Sequence, residues 1–162
     1  VAILLADDLI YAKPGCRKRM VYGWKGGKMD ATTNVKNKET SSYGIISPGE
    51  IIGNKIEVKN IIEKPNPDKA PSNIAVVGRY IIEPEVLSHL SLEKKGANNE
   101  IQLTDSLSFQ IGKAPFFAFN FDGIRYDCGT KLGFTQANTN YALNDPNIGS
   151  EYKNWLYSLL KS

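Results

Sequence analysis

The chain opens on an unbroken apolar run, Val1–Leu5, and drops at once onto two adjacent carboxylates, Asp7 and Asp8. Continuous apolarity of this kind predicts a strand buried on both faces, as in α/β sheets. Pro14 suits the first turn of a helix running towards Trp24, and Gly26-Gly27 suits its end. Met29–Val35 falls where the next strand belongs, yet "MDATTNV" is polar and fits a buried strand poorly. "SSYGIIS" reads as a short strand after a Ser-rich turn. "GEIIGNKIEVKNIIEKP" reads as a hairpin, with Gly53-Asn54 supplying the positive φ angles of a tight turn. The return strand alternates through Ile56, Val58, Asn60 and Ile62 and stops before Pro65, which has no N–H for a ladder. "IAVVGRYII" is the strongest strand signal, and "PFFAFNF" gives another. Helices are predicted from Pro84 through Leu90 and over Glu100–Ile111. Beyond Gly129 the period lengthens: Leu132, Phe134, Ala137 and Tyr141 recur at helical spacing, and Glu151–Leu160 forms a last amphipathic helix. The reading is an α/β protein with a helical appendage over 130–162, the whole of 1–162 forming a single partial domain.

Composition narrows the classes. Of 162 residues, 41% are apolar and 23% charged, which sets the chain apart from disordered sequences. No apolar run approaches a membrane span, and Val1–Leu5 is too short for a signal-peptide core. The net charge of +3 is mild, and the densest basic cluster, Arg17-Lys18-Arg19, reads as a solvated helix face, so neither a nucleic acid nor a membrane is an expected partner. Cys16 and Cys128 lie far apart without metal-site spacing, so free thiols in a reducing, cytoplasmic setting are expected.

Three short stretches carry candidate chemistry. Asp7 ends a strand, where ligands gather in open α/β sheets; a carboxylate there suits Mg²⁺ or, more plainly, a turn or helix cap. Glu63 and Lys64 close the hairpin, and such a pair divides labour: the carboxylate accepts from hydroxyls and the ammonium meets a phosphate. A solvated strand end explains them equally well. Asp127, in "YDCGTK", follows a strand and precedes a glycine turn, as a second metal carboxylate or as a helix cap. The single His89 and the aromatics of 116–121 fit packing better than catalysis. No Gly-rich phosphate loop is found.

Taken in order, "LLADDLI", "SSYGII", "IIEKP", "APSNIAVVGRY", "EIQLTD" and "YDCGTKLGFTQANTNYAL" resemble the bacterial UTP–glucose-1-phosphate uridylyltransferase family. The resemblance implies a Rossmann-like mixed-sheet nucleotidyltransferase fold that joins UTP and glucose 1-phosphate to give UDP-glucose and pyrophosphate, with Mg²⁺ as cofactor. Carried over residue by residue, it implies that Asp7 and Asp127 hold the metal. It further implies that Glu63 accepts from sugar hydroxyls, that Lys64 meets the sugar phosphate, and that Gly44 lets the backbone approach the sugar. Tyr43, Val76 and Tyr80 would line the same pocket, with Lys131 a phosphate neighbour. Glu100 and Asp105 match motif positions without an assigned role. Homo-oligomer contacts are implied for the C-terminal helices, whose apolar stripe includes Phe134, Tyr141, Trp155 and Leu159; core packing is the plainer account.

In that family a Gly-rich, basic nucleotide-binding motif lies upstream of the first metal aspartate, and nothing of that kind precedes Asp7. The expectation is an N-terminally truncated fold covering the C-terminal half or slightly more of the family's length. The nucleotide-binding part would be absent and the chain inactive alone, with Val1–Leu5 a parallel strand stripped of neighbours. Two further readings stay open: a non-catalytic sugar-phosphate-binding or oligomerisation fragment, and a sister enzyme using another nucleotide.

Overall fold

A computed structural model describes residues 1–13, 15–24, 26–90 and 102–161. The elements, in chain order, are β1 (Ala2–Leu4), β2 (Asp8–Tyr11), α1 (Cys16–Gly23), β3 (Lys28–Asn34), β4 (Gly44–Ile52), β5 (Lys55–Glu63), β6 (Ile74–Ile81), α2 (Pro84–Leu90), α3 (Leu103–Phe109), β7 (Phe116–Asn120), β8 (Ile124–Asp127), α4 (Lys131–Leu143) and α5 (Gly149–Lys161). Short 3₁₀ turns occupy Asn37–Ser42 and Pro67–Lys69.

Six strands form a mixed sheet in the order β1-β6-β3-β7-β5-β4, with β3 and β7 parallel and the other listed neighbours antiparallel. The β4–β5 hairpin curls round far enough for Ile45 to pair again with Ala75 of β6. Gly53 turns this hairpin with φ of 59°, as its sequence predicts. The two segments read as a separate strand and hairpin arm are one strand, β4, whose register shifts around Pro48. Proline has no N–H for the ladder, and the irregularity absorbs that defect.

Alternation along β6 and β3 builds two apolar clusters on opposite faces of the sheet. One holds Ile46, Ile56, Val58, Ile74, Ile82, Val86, Leu107 and Phe116; the other holds Cys16, Met20, Met29, Ala31, Val77 and Phe121. Burial pushes the Cys16 thiol up to about 11, and both cysteines are free.

Several expectations change. β3 is a true central strand despite its polarity: Lys28, Asp30 and Thr32 are all buried between β6 and β7. Backbone pairing on both sides outweighs the side-chain pattern, and Lys28 escapes isolation by donating Nζ to the Gln110 carbonyl at 3.3 Å. β1 is neither parallel nor buried on both faces. It pairs antiparallel with β6 at the end of the strand order, leaving Val1, Leu4 and Leu5 exposed. The helix expected over Glu100–Ile111 occupies Leu103–Phe109, and Glu100 lies outside the described residues. Phe134, Tyr141, Trp155 and Leu159 are 40–57% exposed, so the plain core account of that stripe does not hold.

A second, two-stranded sheet is formed by β2 and β8, antiparallel, with Asp8 opposite Asp127 and Tyr11 opposite Ile124. This acidic ribbon stands against the end of the main sheet and makes one wall of the cleft described next.

Candidate functional site

The ribbon and the main sheet enclose an open cleft of about 420 Å³. Eight of the residues singled out in the sequence line it: Asp7, Tyr43, Gly44, Glu63, Lys64, Val76, Tyr80 and Asp127. They come from five separate parts of the chain. Lys131 opens α4, is exposed, and is not among the lining residues. Asp105 sits on α3, likewise outside the lining.

At one end stand the carboxylates. Asp7 lies in the turn between β1 and β2, and its carbonyl accepts from the Cys128 amide at 2.7 Å, tying the turn to the end of β8. Asp127 Oδ1 accepts from the Gly129 amide at 3.0 Å. A methyl group built on Gly129 would stand 3.1 Å from Asp127 Oδ1 and 3.6 Å from Asp7 Oδ2. Both side chains therefore reach the same small space, which a glycine keeps open. Thr130, not Asp127, caps α4: its hydroxyl accepts from the Gly133 amide. Asp127 is free of the helix-cap duty its position allowed.

At the other end stands the hairpin mouth. Gly44 and Glu63 are direct cross-strand partners. A Cβ on Gly44 would come within 3.1 Å of Glu63 Oε2, so glycine leaves that carboxylate its place. Thr104 Oγ1 donates to the same oxygen at 2.7 Å. Lys64 is the one non-glycine residue among the described ones with positive φ, at 46°. Its amide donates to the Tyr43 carbonyl at 2.9 Å, and its Nζ stands 3.9 Å from Glu63 Oε1. A left-handed lysine costs on the order of 1–3 kcal/mol and persists only where the surroundings impose it, a pattern that clusters at ligand sites. Val76 and Tyr80 of β6 form the floor. Burial, followed by the charges of Asp30, Glu63 and Asp8, holds the Tyr80 phenol well above its ordinary value, so it is a neutral hydrogen-bonding group.

The sequence reading missed what joins the two ends. Asp8 is buried and ion-paired with Arg125, and its Oδ2 accepts from the Gly78 amide at 2.9 Å. Arg125 also donates to the Tyr43 hydroxyl at 2.9 Å. Burial works against the Arg125 charge, but the adjacent Asp8 carboxylate outweighs it and raises the guanidinium above its ordinary value. The signal available was spacing: Arg125 and Asp127 are two apart on a strand and share a face. Thr104 lay inside a recognised motif without a role.

Two carboxylates with open space beside them match what Mg²⁺ asks of a protein, since it keeps waters and takes substrate phosphates for its remaining positions. Among the described residues no group of three or more His, Cys, Asp or Glu is arranged to hold a metal, so a closed, all-protein cage is not the type of site present.

Residues 1–144 match the nucleotidyl transferase family. The chain belongs to that family. It is 43% identical over 152 residues to a UTP–glucose-1-phosphate uridylyltransferase of Staphylococcus haemolyticus, covering 93% of this chain and 53% of that protein. It is 44% identical over 133 residues to a protein of the same name from Komagataeibacter xylinus, covering 81% and 47%. Among solved structures, a UDP-glucose pyrophosphorylase from Acinetobacter baumannii superposes with a TM-score of 0.83 at 30% identity, over 98% of this chain and 56% of that one. A UDP-glucose pyrophosphorylase complexed with UDP-glucose gives 0.78 at 38% identity, over 86% and 55%. The chain thus spans about half the length of the curated relatives it matches.

These matches support the Rossmann-like mixed sheet and correct one expectation. The family match begins at residue 1, and a UTP-bound relative is matched over 98% of this chain. An N-terminally truncated fold with its nucleotide-binding part absent is therefore not upheld, and the inactivity deduced from it is withdrawn. The deduction rested on a missing Gly-rich motif, and one absent motif is weaker evidence than a match running from the first residue.

Proposed function

We propose that the chain belongs to an enzyme transferring a uridylyl group from UTP to glucose 1-phosphate, releasing UDP-glucose and pyrophosphate. The observation that carries this reading is the convergence of Asp7 and Asp127 on the space beside Gly129, in one cleft with Glu63 and Lys64. The names of the relatives support the choice of substrates.

Each residue has a definable task. The sugar lies against Val76, Tyr80 and the Gly44 backbone. Glu63, oriented by Thr104, accepts from sugar hydroxyls. Lys64 neutralises the sugar phosphate, held towards the cleft by its left-handed backbone. A phosphate oxygen of the sugar then attacks the α-phosphorus of UTP, the bond to pyrophosphate breaks, and the protein forms no covalent bond. Catalysis of this kind is alignment and charge neutralisation. Asp7 and Asp127 would hold Mg²⁺, which when bound offsets the repulsion between the two anionic reactants.

Self-association through the exposed apolar positions of α4 and α5 is part of the same proposal. So is a cytoplasmic setting, supported by two free thiols; no helix among the described residues is long and apolar enough to cross a membrane. The test is steady-state UDP-glucose formation with Lys64→Ala beside the unaltered chain. The variant is expected to raise the KM for glucose 1-phosphate by about tenfold or more, with that for UTP changed far less. An unchanged glucose 1-phosphate KM overturns the assignment.

A further inference from the structure

We propose that Arg125 is a positioning residue that locks the acidic β2–β8 ribbon to the wall of the sugar-facing cleft. It thereby fixes where Asp7 and Asp127 stand relative to Glu63 and Lys64. The ribbon is not hydrogen-bonded into the six-stranded sheet as a neighbouring strand. Its attachment is made by individual contacts. The Leu5 amide donates to the Gly78 carbonyl at 2.8 Å, Asp8 Oδ2 accepts from the Gly78 amide at 2.9 Å, and Arg79 donates to the Asp8 carbonyl. Those contacts anchor the ribbon to β6. Arg125 alone among these side chains reaches the other wall. Its Nε donates to Asp8 Oδ1, its Nη1 donates to the Tyr43 hydroxyl at 2.9 Å, and its guanidinium carbon lies 5.0 Å from the Tyr43 ring centroid.

Tyr43 is the residue before Gly44, and its carbonyl accepts from the Lys64 amide. Arg125 therefore links β8, which ends in Asp127, to the segment that sets the backbone of Lys64. The planar fork is what makes this possible: one guanidinium addresses a carboxylate and a phenol at once, and a single ammonium does not. There is a chemical consequence at Tyr43. A phenol oxygen that accepts from Arg125 keeps its own hydrogen to donate, so Tyr43 offers the cleft a donor suited to a sugar or phosphate oxygen.

Hydrogen exchange on the full chain tests the lock without reference to activity. In Arg125→Gln the Gly78 and Cys128 amides are expected to exchange about tenfold faster or more, while the β3–β7 amides stay within about threefold. Unchanged exchange at Gly78 and Cys128 overturns the proposal, and so does a uniform rise across the sheet. Arg125→Lys keeps a charge beside Asp8 and guards against a variant that fails to fold. It is expected to exchange at least about threefold faster at Cys128, and exchange like the unaltered chain overturns the bridging role. The kinetic arm rests on the uridylyl-transfer reading. Arg125→Lys should lower kcat about tenfold or more with the glucose 1-phosphate KM within about threefold, because the metal pair is displaced while Glu63 and Lys64 remain. A raised KM with unchanged kcat overturns positioning. A chain inactive in every form refutes the uridylyl-transfer reading, and exchange still decides the lock.

Discussion

Asp30 gives the sharpest stability test. It is fully buried in β3, and neither carboxyl oxygen has a hydrogen-bond partner. Burial raises its pKa well above the ordinary value of 3.8, against a smaller downward pull from the Lys28 charge. The sign follows from proton counting. Above 3.8 the unfolded chain loses this proton while the folded chain keeps it, so stability falls as pH rises and stops falling at the folded pKa. Asn has nearly the same shape and does not titrate. The stability of Asp30→Asn relative to the parent should therefore grow by up to about 1.4 kcal/mol per pH unit, or about 2.7 kcal/mol across two units. Urea unfolding at about pH 4.5, 5.5 and 6.5, with equal m-values required for both proteins, measures the difference directly. Lys28, whose own pKa burial lowers, stays charged on both sides of the comparison in that range unless its shift is extreme, and a shared contribution cancels. A difference independent of pH refutes the protonated state. A parent that gains on Asp30→Asn as pH rises means an ionised Asp30 paired with Lys28, and reverses the argument.

Two further outcomes address the site. Gly129→Ala fills the space between the carboxylates and Asp127→Asn removes one charge; both should weaken Mg²⁺ dependence of transfer, read as a rise of about tenfold or more in the Mg²⁺ concentration for half-maximal rate, with the unfolding midpoint little changed. Thr104→Val keeps side-chain volume but leaves Glu63 Oε2 without its 2.7 Å donor; glucose 1-phosphate affinity measured by titration calorimetry should fall roughly tenfold, and an unchanged affinity would remove Thr104 from the site.

The parts of this fold that were legible in the sequence are those where one local rule dominates. β5, β6 and β7 announce themselves by β-branched and aromatic residues, and Gly53-Asn54 fixes the hairpin. That hairpin in turn aligns Gly44 with Glu63, so half of the cleft follows from turn chemistry alone. β3 was misjudged because its neighbours β6 and β7 arrive from far along the chain, and pairing on both flanks decides a strand that composition disfavours. The ribbon was invisible for a related reason. "DLIY" and "IRYD" are short, lie more than a hundred residues apart and pair only with each other, so neither segment carries a signal alone. Asp8 was read merely as the neighbour of Asp7, although adjacent strand residues face opposite ways and so had to have different roles.

The residues that break local rules are not scattered. Lys64 holds a left-handed backbone, and Asp30 and Thr32 are buried polar groups without partners in the layer beneath the cleft floor. Arg125 and Asp8 form a buried ion pair between two sheets. Tyr80 connects them physically, since the charges of Asp30, Glu63 and Asp8 all raise its pKa and that of Arg125 opposes them. A fold selected only for stability would replace such groups with apolar ones, because a buried ion pair or orphaned carboxyl returns less than the packing it displaces. Their concentration around one cleft argues that its geometry is what these residues serve. It also orders the variants: Asp30→Asn should stabilise the chain, whereas Lys64→Ala and Arg125→Lys should reduce uridylyl transfer whatever they do to stability.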